Sequence, residues 1–208
     1  MEIHLPYGHS TVSATIPGGR GVDVVELEDT PAAPDPIEEV RGALADPVGG
    51  FVWPAAGQVR SVAIAVNDKT RPVPHRHLLP PLMDRLDRLG IPDEAITFFI
   101  AVGGHPPMDP AEFPAVLPAW VLDRYRVVSH EADLRVDLVL RGESARGTEV
   151  WVNRGIVSGA LRIVDGSVEP HQFVGVSGGV NRAAIGLAGL ATINANHTLM
   201  AHPDARIG

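Results

Sequence analysis

The sequence predicts an α/β protein, a Rossmann-like, mainly parallel sheet flanked by helices with a small β-rich part at its N-terminus, and three observations predict it. Two uninterrupted apolar runs, Val62 to Val66 and Ala95 to Val102, read as strands covered on both faces, the mark of a parallel sheet. Between them Leu78, Leu79, Leu82, Met83, Leu86 and Leu89 recur at helical spacing and Gly90 follows, so that strand, helix and strand alternate. The 22 glycines and 19 prolines among 208 residues predict turns and shaped loops rather than disorder. No repeat, low-complexity tract or linker divides the chain, which reads as a single domain over residues 1–208.

Each element follows from local pattern. Glu2 to Leu5, Thr11 to Ile16 and Val22 to Leu27 alternate apolar and polar residues between Gly and Pro turns, as short strands do. At Asp35-Pro36-Ile37-Glu38 a capping acid precedes a proline at the first helical position and a glutamate in the first turn, which predicts a helix to about Leu44. The strand at Val62 opens into the polar loop Asn67 to Pro74, and the apolar helix follows. The strand at Ala95 ends in Gly103-Gly104-His105-Pro106-Pro107-Met108, with a second capping signal at Asp109-Pro110-Ala111-Glu112. Tyr125 to Val128, Leu138 to Leu140, Thr148 to Val152 and Leu161 to Val164 read as further short strands, and Gly179 to Ala195 as one small-residue-rich helix. Ligands of such sheets bind beyond the carboxyl ends of the strands, so the loops after Val66 and Val102 are where a site is expected.

Composition narrows the chemistry. Without cysteine there is no thiolate nucleophile, no Cys-ligated zinc and no iron–sulfur cluster; any metal needs His, a carboxylate or a cofactor of its own. The 17 Lys and Arg stand against 25 Asp and Glu, a net charge of −8, which argues against a nucleic-acid partner. The N-terminus carries no basic segment followed by an apolar one, and Ala95 to Val102 is too short to span a bilayer. A cytoplasmic protein without a membrane partner is expected.

Several residues have settings suited to chemistry. Asn67 to Pro74 packs Asp68, Lys69, Thr70 and Arg71 between prolines directly after a buried strand. Arg71 either pairs with a surface carboxylate or clamps a carboxylate or phosphate of a ligand through its planar fork. His105 follows two glycines at a strand end, where it either fills a tight turn or serves as a positioned acid or base. Glu169-Pro170-His171 precedes Gly175-Val176-Ser177-Gly178-Gly179, a glycine cluster leading into the last helix and a weak anion-site signal that matches neither the Walker loop nor the dinucleotide fingerprint. His197 adds an imidazole downstream; His105, His171 and His197 together supply a proton-transfer pair and one metal ligand if they converge. His4, His9, His75, His77 and His202 are assigned to surface or packing roles, and His130 is left open.

Read in order, Asn67-Asp68-Lys69-Thr70-Arg71-Pro72, Gly103-Gly104-His105, Gly147 to Arg154, Glu169-Pro170-His171, Ser177-Gly178-Gly179 and Asn196-His197 resemble the N-terminal domain of the nickel-pincer-nucleotide lactate racemase family, as does Leu5-Pro6-Tyr7-Gly8. The resemblance implies an isomerase that interconverts the enantiomers of a 2-hydroxy acid by reversible hydride transfer from Cα to a pyridinium mononucleotide carrying nickel. It implies His105 and His171 as the acid/base pair, Arg71 on the substrate carboxylate, and His197 as the protein ligand to nickel. It places Asp68, Thr70, Ser177, Gly178, Gly179, Asn181 and Arg182 against the cofactor.

The chain departs from that family in two ways. The family's lysine after Ser-Gly-Gly, which tethers the cofactor covalently, corresponds here to Asn181. A side-chain amide is not a nucleophilic amine, so the expected nickel-pincer nucleotide binds non-covalently. The family's C-terminal domain is expected to be absent from this chain, leaving an isolated domain that is a poor catalyst. Loss of the lysine also keeps open a second reading, a non-catalytic nucleotide- or anion-binding relative without the cofactor.

Overall fold

The computed structural model describes residues 1–19, 21–23 and 30–207, and the chain separates into two compact units, Met1–Ala33 and Pro34–Gly208. In the first unit, strands β1 (Glu2–Tyr7) and β2 (Ser10–Thr15) form an antiparallel hairpin, in register from Glu2 opposite Thr15 to Tyr7 opposite Ser10. Of the third strand expected over Val22 to Leu27, Val22 and Asp23 are irregular and Val24 to Leu27 lie outside the described residues.

In the second unit, helix α1 (Pro36–Ala45) begins where the capping pattern places it: Asp35 Oδ1 accepts from the N–H groups of Ile37 and Glu38, each at 3.1 Å. Strand β3 (Val62–Asn67) leads through the polar loop to helix α2 (His75–Arg88), which starts three residues ahead of Leu78. Pro80 and Pro81 lie inside α2 and cannot donate to the carbonyls of Arg76 and His77. Strand β4 (Ile96–Ala101), helix α3 (Ala119–Arg124) and strand β5 (Arg126–Ser129) follow. An antiparallel hairpin of β6 (Leu138–Glu143) and β7 (Glu149–Asn153) then precedes helix α4 (Arg154–Ser158) and strand β8 (Leu161–Val164). The chain ends in short pieces: β9 (Pro170–His171), β10 (Val174–Val176), helices α5 (Gly179–Ala184) and α6 (Leu190–His197), and β11 (Arg206–Ile207).

The main sheet has the order β5-β4-β3-β8 with every neighbouring pair parallel, and its strands are the expected ones to within a residue or two. The α/β expectation therefore holds; the second unit also carries the β6–β7 hairpin and a small sheet in which β10 runs antiparallel to β9 and parallel to β11. Side-chain alternation in β3 divides the core. Val62, Ile64 and Val66 face α2, packing with Leu79, Leu82 and Leu86, whereas Ala63 and Ala65 face Phe99, Ile156 and Leu187. The alanines let the α4 segment approach the sheet closely, and each buried Leu or Ile on the other side stabilises the fold by about 1.5–3 kcal/mol.

The single helix expected over Gly179 to Ala195 is two helices, because the backbone between them is claimed by a strand. Asn153 N–H donates to Leu187 O at 2.8 Å and Gly189 N–H to Trp151 O at 2.9 Å. Those bonds attach Ile185 to Gly189 to the end of β7, with Leu187 and Ala188 fully buried. A Cβ at Gly189 would sit 2.7 Å from Leu138 Cδ1, so this close approach requires glycine. Among the described residues no helix is long and apolar enough to cross a membrane.

Candidate functional site

The carboxyl ends of β3 and β4 form one wall of a cleft of about 160 Å³. From β3 come Asp68, Thr70 and Arg71; from β4 come Gly103, Gly104 and His105; the opposite wall carries His171, Phe173, Asn181, Ile185, Gly186 and His197. Residues separated by more than a hundred positions thus meet where a parallel sheet leaves its strand ends open.

The β3 loop is braced from within. Asn67, 1% exposed, donates from Nδ2 to Arg71 O at 2.9 Å, and Arg71 N–H donates to Asp68 O at 3.1 Å, closing a turn. Asp68 is 5% exposed and fully engaged: Oδ1 accepts from the Thr70 N–H at 3.1 Å and the Thr70 hydroxyl at 2.7 Å, while Oδ2 faces His105 Nδ1 at 2.8 Å. A carboxylate only accepts, so Nδ1 of His105 carries a proton and Nε2 is the nitrogen left to give or take one. The His105 side chain is 56% exposed, with one ring nitrogen fixed and the other accessible. Its loop is held by Gly103, whose φ of 60° suits glycine and whose N–H donates to Gly186 O at 2.9 Å. Arg71 makes no ion pair among the described residues.

The opposite wall is held by aromatic contacts. Phe173 lies edge-on between His171 and His197, with ring centroids at 5.1 and 5.8 Å. Its N–H points at His171 Nδ1 over 3.4 Å, a long hydrogen bond. The two imidazoles are therefore each held locally at Nδ1, His105 by the Asp68 carboxylate and His171 by the Phe173 N–H.

Of the residues singled out from sequence, Asp68, Thr70, Arg71, His105, His171, Asn181 and His197 line this one cleft. Ser177, Gly178 and Gly179 are not among its lining residues, and the Ser177 hydroxyl is spent on Ser167 O and on the Glu169 N–H within its own loop. The side chain of Arg182 lies outside the described residues. Sequence reasoning missed Phe173, although its position two residues after His171 in a predicted site loop was a usable signal. Ile185 and Gly186 were missed because they were read as mid-helix.

His130, left open on sequence, is fully buried behind the cleft. Burial lowers its pKa, and the neutral ring faces Ala188 O through Nε2 at 2.8 Å and the Asn153 amide through Nδ1 at 3.2 Å. It thereby fastens the Ile185 to Gly189 segment from the side away from the cleft.

Among the described residues no group of three His, Asp or Glu side chains is placed to hold a metal ion. A metal that arrives within its own chelate needs only one protein donor, and His197 on the cleft wall fits that requirement.

Comparison with known proteins places this geometry. The model of the lactate racemase N-terminal domain matches residues 7–208. The lactate racemase of Thermoanaerobacterium thermosaccharolyticum is 28% identical over 212 residues, and that of Lactiplantibacillus plantarum 29% over 215; each alignment takes in 100% of this chain and 50% of the relative. The apoprotein structure of the Thermoanaerobacterium enzyme superimposes with a TM-score of 0.84 at 28% identity, covering 99% of this chain and 49% of that one. A Thermotoga maritima protein shares the fold alone, with a TM-score of 0.60 at 20% identity over 82% of this chain and 42% of that one. The chain spans about half the length of the curated relatives it matches.

Proposed function

The chain belongs to the lactate racemase N-terminal domain family, and from that premise we propose that it is the cofactor-binding part of a 2-hydroxy-acid racemase or epimerase. The observation that carries this reading is the convergence of Asp68, Arg71, His105, His171 and His197 on one cleft. The cofactor would be a nickel-pincer nucleotide, for which His197 would be the protein donor to the metal, with Asp68, Thr70 and Asn181 nearby. Asn181 supplies no amine, so the attachment would be non-covalent. When bound, such a group would supply reversible hydride transfer at the substrate Cα, the difficult part of the chemistry.

The chain's own residues do the rest. Arg71, whose guanidinium makes no ion pair among the described residues, takes the substrate carboxylate in its planar fork and fixes which face of Cα is presented. His105 Nε2, made a base by the Asp68 bond to Nδ1, receives the hydroxyl proton of one enantiomer. His171, entering as the imidazolium, returns a proton to the oxygen from the other side and is left neutral while His105 is left protonated, so the two exchange roles for the opposite enantiomer. Two differently poised imidazoles are what a reversible reaction through a carbonyl requires.

Asn181 on the cleft wall favours one rival, a nucleotide- or anion-binding relative without catalysis. The experiment is a chiral assay of the natural full-length protein, loaded with the pincer cofactor, against a panel of single-enantiomer 2-hydroxy acids. Conversion of one member to a mixture, abolished by either His105→Ala or His171→Ala, supports the racemase. Cofactor uptake with no conversion of any member supports the rival.

A further inference from the structure

His75 stands at the first position of α2, where the sequence suggests nothing beyond packing, and its side chain is 2% exposed. Nδ1 lies 2.9 Å from Val116 O, and Nε2 lies 2.9 Å from Asp165 Oδ2. Both ring nitrogens thus face oxygens. A carbonyl only accepts, so Nδ1 is protonated; a carboxylate also only accepts, so Nε2 is protonated as well. Asp165, just past the end of β8, has both carboxylate oxygens buried without an aligned hydrogen-bond donor among the described residues, so its 2.9 Å approach to His75 Nε2 is an ion-pair contact. A buried carboxylate so placed needs a counter-charge. A cation at the N-terminal end of a helix is disfavoured by the helix dipole, and the carboxylate offsets that cost too.

The position of the pair gives it a purpose. β3 and β8 are neighbours in the sheet although four strands separate them in sequence, and Asp165 N–H extends their pairing by donating to Ala65 O at 3.0 Å. His75 closes the loop that starts at Asn67, and its own N–H donates to Val73 O at 2.7 Å. We propose that His75 is a positioning residue for the cleft, an imidazolium paired with Asp165 that pins the Asn67 to Pro74 loop, and with it Asp68 and Arg71, to the end of β8. The Asn67 amide braces the same loop at its other end.

Other charged groups near His75 do not replace Asp165. Asp68 and Lys69 share a small cavity of about 40 Å³ with it, but Asp68 is taken by Thr70 and His105, and Lys69 by Glu112. On α2 itself Arg76 donates to His77. Burial pulls the His75 pKa down, but the Asp165 carboxylate and the Val116 carbonyl outweigh it, and the net direction is up.

The inference uses the proposed function only to say why the loop matters, so its test employs the chain without cofactor. Nitrogen-15 spectra of the imidazoles are followed with pH, together with the backbone amides of Asp68 to Arg71. His75 is expected to be mainly doubly protonated at the ordinary histidine midpoint of about pH 6.5. The loop amides are expected to shift with the same midpoint as His75. In Asp165→Asn that midpoint falls, because burial is then opposed only by the Val116 carbonyl. A His75 ring with one bare nitrogen at that pH, or loop amides indifferent to its titration, would overturn the proposal. Neither outcome bears on whether the cleft binds nickel.

Discussion

The two walls of the cleft are built on different principles. The wall at the ends of β3 and β4 grows out of a parallel sheet whose β3 residues are all buried, and its loops are braced by polar bonds: Asn67 Nδ2 to Arg71 O and Asp68 to Thr70 and His105 within the wall, and Gly103 N–H across to Gly186 O. The other wall stands on a two-residue strand, a six-residue helix and the end of α6, joined by aromatic edges and one long hydrogen bond. A site for a large cofactor needs both kinds. One wall sets the geometry before anything binds, and the other can adjust around the ligand.

The largest expected effect probes the fixed wall. In the loaded full-length protein Asp68→Asn removes the carboxylate that keeps the His105 proton on Nδ1, and kcat per bound nickel should fall by about a hundredfold or more. Arg71→Lys should act differently, raising KM for the 2-hydroxy acid by about tenfold, because a point charge cannot grip a carboxylate bidentately. A smaller loss is expected from Phe173→Ala on the adjustable wall, about severalfold in kcat/KM, since the histidines lose edge contacts worth of order 0.5–1.5 kcal/mol. Equal losses from Asp68→Asn and Phe173→Ala would erase the distinction between the walls. The weakest effect is on stability. A folded-state pKa raised above the unfolded value contributes stability that is complete below about pH 6.5 and is lost as pH rises through the raised value. Denaturant titrations should therefore show stability declining with pH above that point, and the decline should vanish in Asp165→Asn.

The same contrast governs what could be read from sequence. β3, β4, β8 and the cap at Asp35 were legible because continuous apolar runs and capping residues act locally. Asp68, Arg71 and His105 were legible as strand-end residues of such a sheet. The break between α5 and α6 was not, since it depends on β7 taking the backbone groups of Leu187 and Gly189 from far along the chain. Nor were the partners of His75 and His130, which are assembled from β8, β7 and the segment before α6. Local pattern carries no trace of contacts made across ninety residues. Ser177 to Gly179 show the converse, a motif visible in sequence that lies outside the cleft lining, with the Ser177 hydroxyl bonded within its own loop.

The most direct test of the central claim is nickel content and intact mass of the natural full-length protein after exposure to the pincer cofactor, beside Asn181→Lys and His197→Ala. The account predicts stoichiometric nickel in the unaltered protein with no covalent mass added, an adduct in Asn181→Lys, and loss of nickel in His197→Ala. Absence of nickel from the unaltered protein, under conditions that load a lysine-bearing relative, would contradict it.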